Sequence, residues 1–290
     1  METIKTILVT GANGQLGSEI RFLSVSYPQY NFIFTDFQEL SIDDKNAIDH
    51  FFASNKIDCC LNCAAYTAVD KAESDATLSN TINGYAVGYL AEACNTHHAL
   101  FIHISTDYVF DGTASSPYQV NHPVNPVNVY GSSKLLGEQM AVEKNPSSII
   151  IRTSWVYSSV GNNFVKTMMR LMKEKESLNV VSDQVGCPTY AADLASAMMQ
   201  IVVSGKAADN AGYYHYSNQG VISWYDFAVA IKEISNSNCV VSAIKTEQYP
   251  TPAKRPAYSV MDTTKIQQTF NIQIPQWKDS LQKCMAILMQ

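Results

Sequence analysis

The stretch Thr6–Gly17, TILVTGANGQLG, joins an apolar run to three glycines, Gly11, Gly14 and Gly17. Because a helical pattern starts at about Gln15, this spacing predicts a strand, a tight turn and the beginning of a helix. Glycines in such a turn let the backbone approach a pyrophosphate, whose charge is stabilised by amides at the helix N-terminus. The stretch therefore predicts the first βαβ unit of a dinucleotide-binding sheet. The cofactor-binding residues predicted here are Gly11, Gly14, Gln15, Leu16 and Gly17.

The rest of the first half continues this alternation of short strand-like and longer helix-like segments. The strand-like segments are NFIFTD (31–36), DCCLNCAA (58–65), ALFIHIST (99–106) and SSIIIRTS (147–154). Helical patterns lie between them, near residues 44–54, 79–95 and 129–140. This order predicts βαβ units and a parallel sheet with helices on both faces. We therefore expect an α/β fold with a Rossmann-type, doubly wound parallel sheet.

The second half is less regular and predicts a smaller unit. Helical patterns near residues 163–174, 191–203 and 224–234 are separated by loops that contain Pro, Asn and Gly. We expect an NAD(P)-binding Rossmann domain at residues 1–154 and a smaller α/β substrate-binding domain at residues 155–290. Elements of the second half that return to the first sheet are compatible with this division.

The composition indicates a small-molecule partner. The chain has 290 residues, 46% of them hydrophobic, and a net charge of -6. Its Lys and Arg residues are scattered, so no basic patch is expected for nucleic acid or an anionic membrane. No segment approaches the roughly 20 apolar residues of a transmembrane helix, and the apolar run in METIKTILVTGA is too short for a signal peptide. We therefore expect a cytoplasmic protein.

The cysteines indicate free thiols rather than disulfides or a metal site. Their number is seven, and an odd number without an export signal is typical of a reducing compartment. Cys60 and Cys63 form a C-x-x-C, but they lie in a predicted buried strand, where positions three apart point to opposite faces. No His, Cys or carboxylate cluster has metal-ligand spacing, so no metal is expected.

The ends of the second and third strands are expected to complete the cofactor site. Asp36 ends FIFTDF, where a carboxylate accepts hydrogen bonds from the adenosine ribose and repels a 2′-phosphate. No Lys or Arg stands in the glycine loop or close behind Asp36, which favours NADH over NADPH. A solvated aspartate at a strand end is the alternative interpretation. Ala65, Tyr66 and Thr67 follow the third strand, so they are expected at the same edge.

The segment VYGSSKLLGE (129–138) supplies the candidate acid. In a helix, Tyr130 and Lys134 lie on one face, one turn apart. An ammonium about 6 Å from the phenol contributes roughly 3 kcal/mol at an effective dielectric near 20. This interaction would lower the pKa of Tyr130 by about two units, towards that of a useful general acid. Lys134 can also hold ribose hydroxyls.

In STD, Thr106 and Asp107 end the fourth predicted strand, beside the cofactor site. The Thr106 hydroxyl can share a substrate oxygen with Tyr130, so Thr106, Tyr130 and Lys134 are the catalytic candidates. The structural alternatives are a capping hydroxyl for Thr106 and a turn former for Asp107.

The motifs together resemble one family over nearly the whole chain. They are, in order, GANGQLG, AAYTAVDKAE, STDYVFDG, VYGSSKLLGE, RTSWVY, NNFVKTM, SDQVGCPT and YPTPAKRP. This order resembles the dTDP-4-dehydrorhamnose reductases, extended members of the short-chain dehydrogenase/reductase superfamily. The resemblance implies reduction of the C4 keto group of dTDP-4-dehydro-L-rhamnose to dTDP-L-rhamnose, with NADH or NADPH, in nucleotide-sugar biosynthesis for surface polysaccharide. It makes Tyr130 the proton donor, Lys134 its partner and Thr106 the ligand of the carbonyl oxygen.

The resemblance also implies the remaining contacts. Val69, Asp107 and Trp155 are expected to line the sugar, and Arg255 is expected to contact the diphosphate. Ser41 and Ile42 are expected near the adenine edge of the cofactor. The family often has an acidic residue at the position of Ser41, and this departure concerns the adenine contacts rather than the fold.

Other functions remain open on sequence alone. A sugar-nucleotide epimerase or dehydratase would share the glycines and the Y-x-x-x-K motif. The dehydratase interpretation favours an acidic pair after the catalytic Thr, but Tyr108 follows Asp107 here. A non-catalytic interpretation also stands, because the regulatory beta subunit of methionine adenosyltransferase resembles this family. The sequence leaves the oligomeric state open, a homodimer included.

Overall fold

The computed structural model describes residues 5–290, and the first four residues of the predicted N-terminal domain lie outside this range. Its longer strands are β1 (Lys5–Thr10), β2 (Tyr30–Thr35), β3 (Cys59–Asn62), β4 (Leu100–Thr106), β5 (Ile149–Thr153), β7 (Ser177–Val181), β10 (Gly212–His215) and β12 (Val240–Ile244). Two-residue strands are β6 (Val156–Tyr157), β8 (Val185–Gly186), β9 (Thr189–Tyr190) and β11 (Ile222–Ser223).

Helices occur at each predicted position, and those at residues 69–72, 264–270 and 277–288 were not predicted. The helices are α1 (Gln15–Ser24), α2 (Lys45–Ser54), α3 (Val69–Ala72), α4 (Ala76–Asn80), α5 (Ala86–Thr96), α6 (Val129–Lys144), α7 (Phe164–Glu174), α8 (Ala191–Val203), α9 (Trp224–Ser235), α10 (Thr264–Phe270) and α11 (Trp277–Leu288). Within residues 5–290, no helix combines the length and the apolar character needed to cross a membrane.

Six strands form one sheet in the order β2-β1-β3-β4-β5-β10, and every neighbouring pair is parallel. The strand order reverses between β1 and β3. In such sheets a crevice opens at this reversal, outside the carboxyl ends of the strands, and ligands bind there. The predicted α/β fold with a doubly wound parallel sheet is confirmed.

The core lies on both faces of this sheet because alternate strand residues point to opposite sides. Ile7 and Val9 of β1 pack with residues of α1 and α8 on one face. Leu8 packs with residues of α2 and α5 on the other face. The strands are therefore buried on both sides, which is typical of parallel sheets.

A second core lies in the C-terminal half. There β7 pairs with β12, and residues of α7, α9 and α11 form an apolar cluster around Phe227. However, β10, at residues 212–215, pairs with β5 inside the main sheet. The division at residues 154 and 155 stays a prediction, with β10 as an element of the second half that returns to the first sheet.

The predicted continuous helix over residues 79–95 is wrong in one respect. Residues Thr81–Tyr85 form a π-helical turn between α4 and α5. Inside this turn the Asn83 side chain accepts from the Tyr66 amide at 2.9 Å and donates to the Tyr66 carbonyl at 2.9 Å. It also donates to Ser133 Oγ at 3.0 Å, so the wider turn clamps the chain after β3 against α6.

Candidate active site

A cavity of about 930 Å³ opens at the carboxyl edge of the sheet. It is lined by the ends of β1, β3, β4 and β5 and by the start of α6, where parallel strands place their ligands. All but two of the predicted site residues line it. These residues are Gly11, Gly14, Gln15, Leu16, Asp36, Ser41, Ile42, Ala65, Tyr66, Thr67, Val69, Thr106, Asp107, Tyr130, Lys134 and Trp155.

The glycine loop is shaped for close backbone approach. Gly11 has φ +62, and a Cβ on it would lie 2.6 Å from the Cα of Ala64. The Gly14 amide donates to the Gly11 carbonyl at 3.0 Å, which closes the turn before α1. Gly17 does not line the cavity but packs against the loop, where a Cβ on it would lie 2.6 Å from the Ala12 Cα. Its role in this structure is to let α1 pack on the loop.

Asp36 ties the glycine loop to the end of β2. Its Oδ2 accepts from the Asn13 amide at 2.9 Å, and its Oδ1 accepts from the Phe37 amide at 2.8 Å. A carboxylate has about four lone-pair sites, so acceptor capacity remains towards the cavity. Asp36 therefore both shapes the loop and presents a negative charge beside it.

An acidic group lies at the end of the cavity where the adenine of the cofactor is expected. Ser41 Oγ donates to Asp43 Oδ1, and Asp43 lines the cavity. A carboxylate therefore lies two residues after Ser41, at the end where the adenine is expected. Asp43 and Phe37, which also lines this end, were not predicted, because neither stands in a motif.

The catalytic candidates come together as predicted. The helix α6 begins at Val129 because the Asn128 side chain accepts from the Gly131 amide at 2.7 Å. Thr106 Oγ1 donates to Asp107 Oδ1 at 2.9 Å and accepts from the Tyr108 amide at 3.3 Å. Asp107 Oδ2 is buried and has no partner among residues 5–290. Burial raises the pKa of Asp107 to about 6.

The predicted lowering of the Tyr130 pKa is wrong for this structure. Burial raises the pKa of Tyr130 to about 12, and the neighbouring Thr106 side chain, which acts to lower it, does not offset this. Lys134 does not counteract the burial, since its Nζ donates to the Ile104 carbonyl at 2.6 Å. The ammonium is therefore committed to the backbone of β4 instead of to the phenol.

Lys134 is itself strongly affected by its surroundings. Only 2% of its surface is exposed, and burial lowers its pKa to about 8, although Glu138 and Cys63 act in the opposite direction. Glu138 lies one turn further along α6 and forms a buried ion pair with Arg152 at 2.7 Å. The pKa of Lys134 therefore lies only slightly above neutral pH, so the side chain loses its charge under mildly alkaline conditions.

A buried chain of polar groups below Lys134 was not predicted. Asn62 Oδ1 accepts from Thr10 Oγ1 at 2.7 Å and from the Ala64 amide at 3.2 Å. Its amide nitrogen therefore faces His103 Nδ1 at 3.0 Å, and His103 Nε2 lies 3.4 Å from Lys134 Nζ. Burial lowers the pKa of His103 well below its usual value, so the ring is neutral.

Arg255 is the second predicted residue that the structure does not bring to the cavity. Its Nη1 and Nη2 each donate to Asp70 at 2.8 Å. Nη1 also donates to the Ala253 carbonyl at 2.9 Å, so the guanidinium is already engaged at the side of α3. The predicted contact between Arg255 and a diphosphate stays a prediction.

Elements of the second half complete the cavity wall. Gly161 and Asn162 line the cavity, and the neighbouring Asn163 donates from Nδ2 to Gln15 Oε1 at 3.0 Å. Trp224, the first residue of α9, lines it beside Trp155. The sequence identified Trp224 only as the beginning of a helix, since no local motif relates it to the glycine loop.

Comparisons with known proteins agree with this geometry. The family model described as RmlD substrate binding domain matches residues 5–290. The dTDP-4-dehydrorhamnose reductase of Aggregatibacter actinomycetemcomitans is 43% identical, over 97% of this chain and 98% of that protein. The spore coat polysaccharide biosynthesis protein SpsK of Bacillus subtilis is 39% identical, over 96% of this chain and 95% of its own length.

Solved structures show the same similarity in three dimensions. A dTDP-4-dehydrorhamnose reductase from Clostridium acetobutylicum has a TM-score of 0.94 and 41% identity, over 98% of this chain and 100% of that chain. The Bacillus anthracis dTDP-4-dehydrorhamnose reductase, in complex with NADP, has a TM-score of 0.93 and 35% identity, with the same coverage of 98% and 100%. Sequence and structure agree over nearly the whole chain, so this protein belongs to the RmlD substrate binding domain family.

Proposed function

We propose that this protein reduces the C4 keto group of dTDP-4-dehydro-L-rhamnose to give dTDP-L-rhamnose, with a nicotinamide dinucleotide as reductant. One observation carries the proposal: Thr106, Tyr130 and Lys134 line the same cavity as the glycine loop and Asp36. Family membership supports it, since the relative with 43% identity is named a dTDP-4-dehydrorhamnose reductase. The reaction serves nucleotide-sugar synthesis for surface polysaccharide.

The residues at the sheet edge fit a nicotinamide dinucleotide. Gly11 lines the cavity, and its lack of a side chain lets the loop pack on Ala64 while its backbone faces the space where a pyrophosphate would lie. Gly11, Gly14, Gln15 and Leu16 would hold the pyrophosphate, and Asp36 would hold the adenosine ribose. When bound, the cofactor supplies the hydride for C4.

The chain's own groups supply the proton and the orientation. The Tyr130 hydroxyl, protonated throughout the neutral range, donates its proton to the oxygen of the reduced carbonyl. Thr106 would hold that oxygen by donating its hydroxyl proton, which in this structure is donated to Asp107 Oδ1 at 2.9 Å and so has to turn towards the substrate. Lys134 contributes a positive charge at the catalytic end of the cavity, where it would hold the ribose of the bound cofactor. Thr106 and Lys134 are themselves almost fully buried, which strengthens their electrostatic interactions.

Net consumption of NADH distinguishes the proposed reductase from the alternative functions. An epimerase or dehydratase recycles its bound cofactor, whereas a reductase consumes one NADH for each sugar nucleotide. A regulatory subunit consumes none. We expect a spectrophotometric assay with dTDP-4-dehydro-L-rhamnose to show stoichiometric loss of NADH absorbance and formation of dTDP-L-rhamnose. Turnover of the sugar nucleotide without net loss of NADH would support the epimerase or dehydratase instead.

The cofactor preference is expected to depend on Asp36. Of the described residues that line the cavity, Lys134 alone is basic, and it lies at the catalytic end. Nothing near Asp36 would therefore neutralise a 2′-phosphate, so NADH should bind at least as well as NADPH. Asp36→Ala should shift the ratio of the two dissociation constants towards NADPH by about tenfold. The exposed Asp49→Ala, with the same loss of charge, should leave the ratio unchanged. Several-fold tighter binding of NADPH by the unmodified protein would contradict this assignment.

Trp155 is proposed to line the sugar. The face of a deoxysugar ring is mostly C–H, and an indole offers it an apolar wall. Trp155→Ala should raise KM for the sugar nucleotide about tenfold while the NADH dissociation constant changes little. Steady-state kinetics and a fluorescence titration with NADH measure the two quantities separately. An equal loss of affinity for the sugar nucleotide and for NADH would show that Trp155 does not line the sugar specifically.

The activity should also fall at alkaline pH. The pKa of Lys134 is lowered from its usual value to about 8, so its charge is present below this pH and is lost above it. Tyr130 and the neutral His103 do not titrate in this window. We expect kcat/KM to be flat near pH 7 and to decrease about tenfold per unit well above the Lys134 pKa. An undiminished kcat/KM at pH 10, with the fold intact by circular dichroism, would contradict the requirement for the charge.

The proposed reaction would take place in the cytoplasm. All seven cysteines lie in the described part of the chain and are free thiols, as expected in a reducing compartment. The substrate is a small molecule, which the scattered charges of the chain also favour. A homodimer stays a prediction for a sedimentation measurement.

A further inference from the structure

The backbone at Trp155 has an unusual conformation. Its φ is 49, in the left-handed region that bulky residues rarely adopt. Neighbouring contacts hold this conformation in place: Ser154 Oγ donates to the Cys187 carbonyl at 2.6 Å, and the Thr189 amide donates to the Trp155 carbonyl at 3.2 Å. Strained residues of this kind persist where the surrounding structure over-determines them, often at ligand-binding sites.

The indole of Trp155 is stacked on that of Trp224. The ring centroids are 3.6 Å apart and the planes differ by 12°. Isolated aromatic pairs prefer offset or edge-to-face arrangements with centroids about 4.5–7 Å apart, so the surrounding frame must impose this close stack. Phe164 of α7 packs on Trp224 from another side, at 4.7 Å between centroids.

Gly186 leaves the space that the Trp155 indole occupies. A Cβ on Gly186 would lie 2.8 Å from both Cε2 and Cζ2 of that ring. Gly186 pairs with Ile222 in the β8–β11 ladder, two residues before Trp224. This short ladder therefore brings both Gly186 and the Trp224 indole into contact with Trp155.

We propose that Trp224 and Gly186 are positioning residues for Trp155, and that the stacked indoles form the wall that recognises the sugar, not the nucleotide, of the substrate. The sugar-recognition part rests on the proposed function. Both tryptophans line the cavity and are only partly buried, so the stack presents a surface to a ligand. Trp224 thus becomes a specificity-determining residue that acts through Trp155.

Circular dichroism tests the stack in the free protein. The chain has three tryptophans, and the third, Trp277, is 8% exposed and packs against Phe227 at 6.0 Å. We expect an exciton couplet from the two stacked indoles, which Trp224→Ala abolishes and the control variant Trp277→Phe retains. Gly186→Ala keeps both indoles but should weaken the couplet by displacing one of them. Absence of a couplet in the unmodified protein would overturn the positioning role.

Calorimetric titrations with dTDP-L-rhamnose and with dTDP alone test the recognition. Trp224→Ala should raise the dissociation constant for dTDP-L-rhamnose about tenfold and that for dTDP by less than about twofold. Trp224→Phe, which retains an aromatic ring, should recover most of the sugar affinity. Equal weakening for both ligands, or no weakening, would overturn the recognition role. An unmodified protein that shows the couplet but binds neither ligand would overturn the proposed function and the recognition role, and leave the positioning role standing.

Discussion

Tyr130→Phe should lower kcat by at least about 100-fold, because general acid catalysis typically contributes about 10²–10⁴-fold. The phenylalanine ring retains the packing of the phenol, including its edge contact with Tyr108 at 5.5 Å between centroids. It lacks the hydroxyl that protonates the newly formed alkoxide. The NADH dissociation constant, measured by fluorescence titration, should therefore change only slightly.

A matched control is Tyr85→Phe, since this tyrosine is 47% exposed on the π-helical turn. Its kcat should equal that of the unmodified protein. Near-normal turnover by Tyr130→Phe would remove the phenol from the mechanism. If the unmodified protein has no turnover at all, the regulatory-subunit interpretation becomes the better one.

Lys134→Met should lower both kcat and the affinity for NADH. The side chain is almost fully buried, and methionine replaces its stem without the charge. A hydrogen bond to a charged group contributes about 1.5–3 kcal/mol, so the NADH dissociation constant should rise about tenfold to a hundredfold. Turnover should fall together with it, since Lys134 is proposed to hold the ribose and thereby to place the nicotinamide against C4 of the sugar.

The comparison with Tyr130→Phe separates the two roles. Lys173→Met, at an exposed position of α7, should have neither effect. A Lys134→Met protein with unchanged NADH affinity and lowered kcat would confine the lysine to the chemistry. Loss of affinity with normal kcat would confine it to the ribose.

The sheet and most of its cavity could be predicted because both depend on local patterns. Apolar runs such as TILVT became buried strands, and parallel strands place their carboxyl ends at one edge, so motifs after each run had to meet. Helix α6 likewise put Tyr130 and Lys134 on one face, as its spacing indicated. These inferences need only chain order and periodicity.

Electrostatic details could not be predicted in the same way. The spacing of Tyr130 and Lys134 gives the helix face but not the direction of the ammonium, which donates to the Ile104 carbonyl. Burial of the phenol then determines the sign of its pKa shift. The ion pair of Arg255 was not predicted for a related reason: its bidentate partner Asp70 is distant in sequence and has no motif that marks the pairing.

Long-range pairings account for the residues that were missed. Trp224 reaches Trp155 only because the two-residue strands β8 and β11 pair, and strands this short have no periodicity to detect. Asn83 contacts Tyr66 through a π-helical turn that the sequence reads as ordinary helix. In both cases the partner is identified by tertiary structure alone.

The central claim is net hydride transfer to C4 of the sugar, and isotope transfer measures it most directly. The protein would be incubated with dTDP-4-dehydro-L-rhamnose and NADH that carries deuterium at both hydrogen positions of nicotinamide C4, and the product examined by NMR and mass spectrometry. We predict dTDP-L-rhamnose with one deuterium per molecule, at C4 of the sugar, and an equal amount of NAD formed. Conversion of the sugar nucleotide without deuterium at C4, or no conversion by folded protein, would contradict the account.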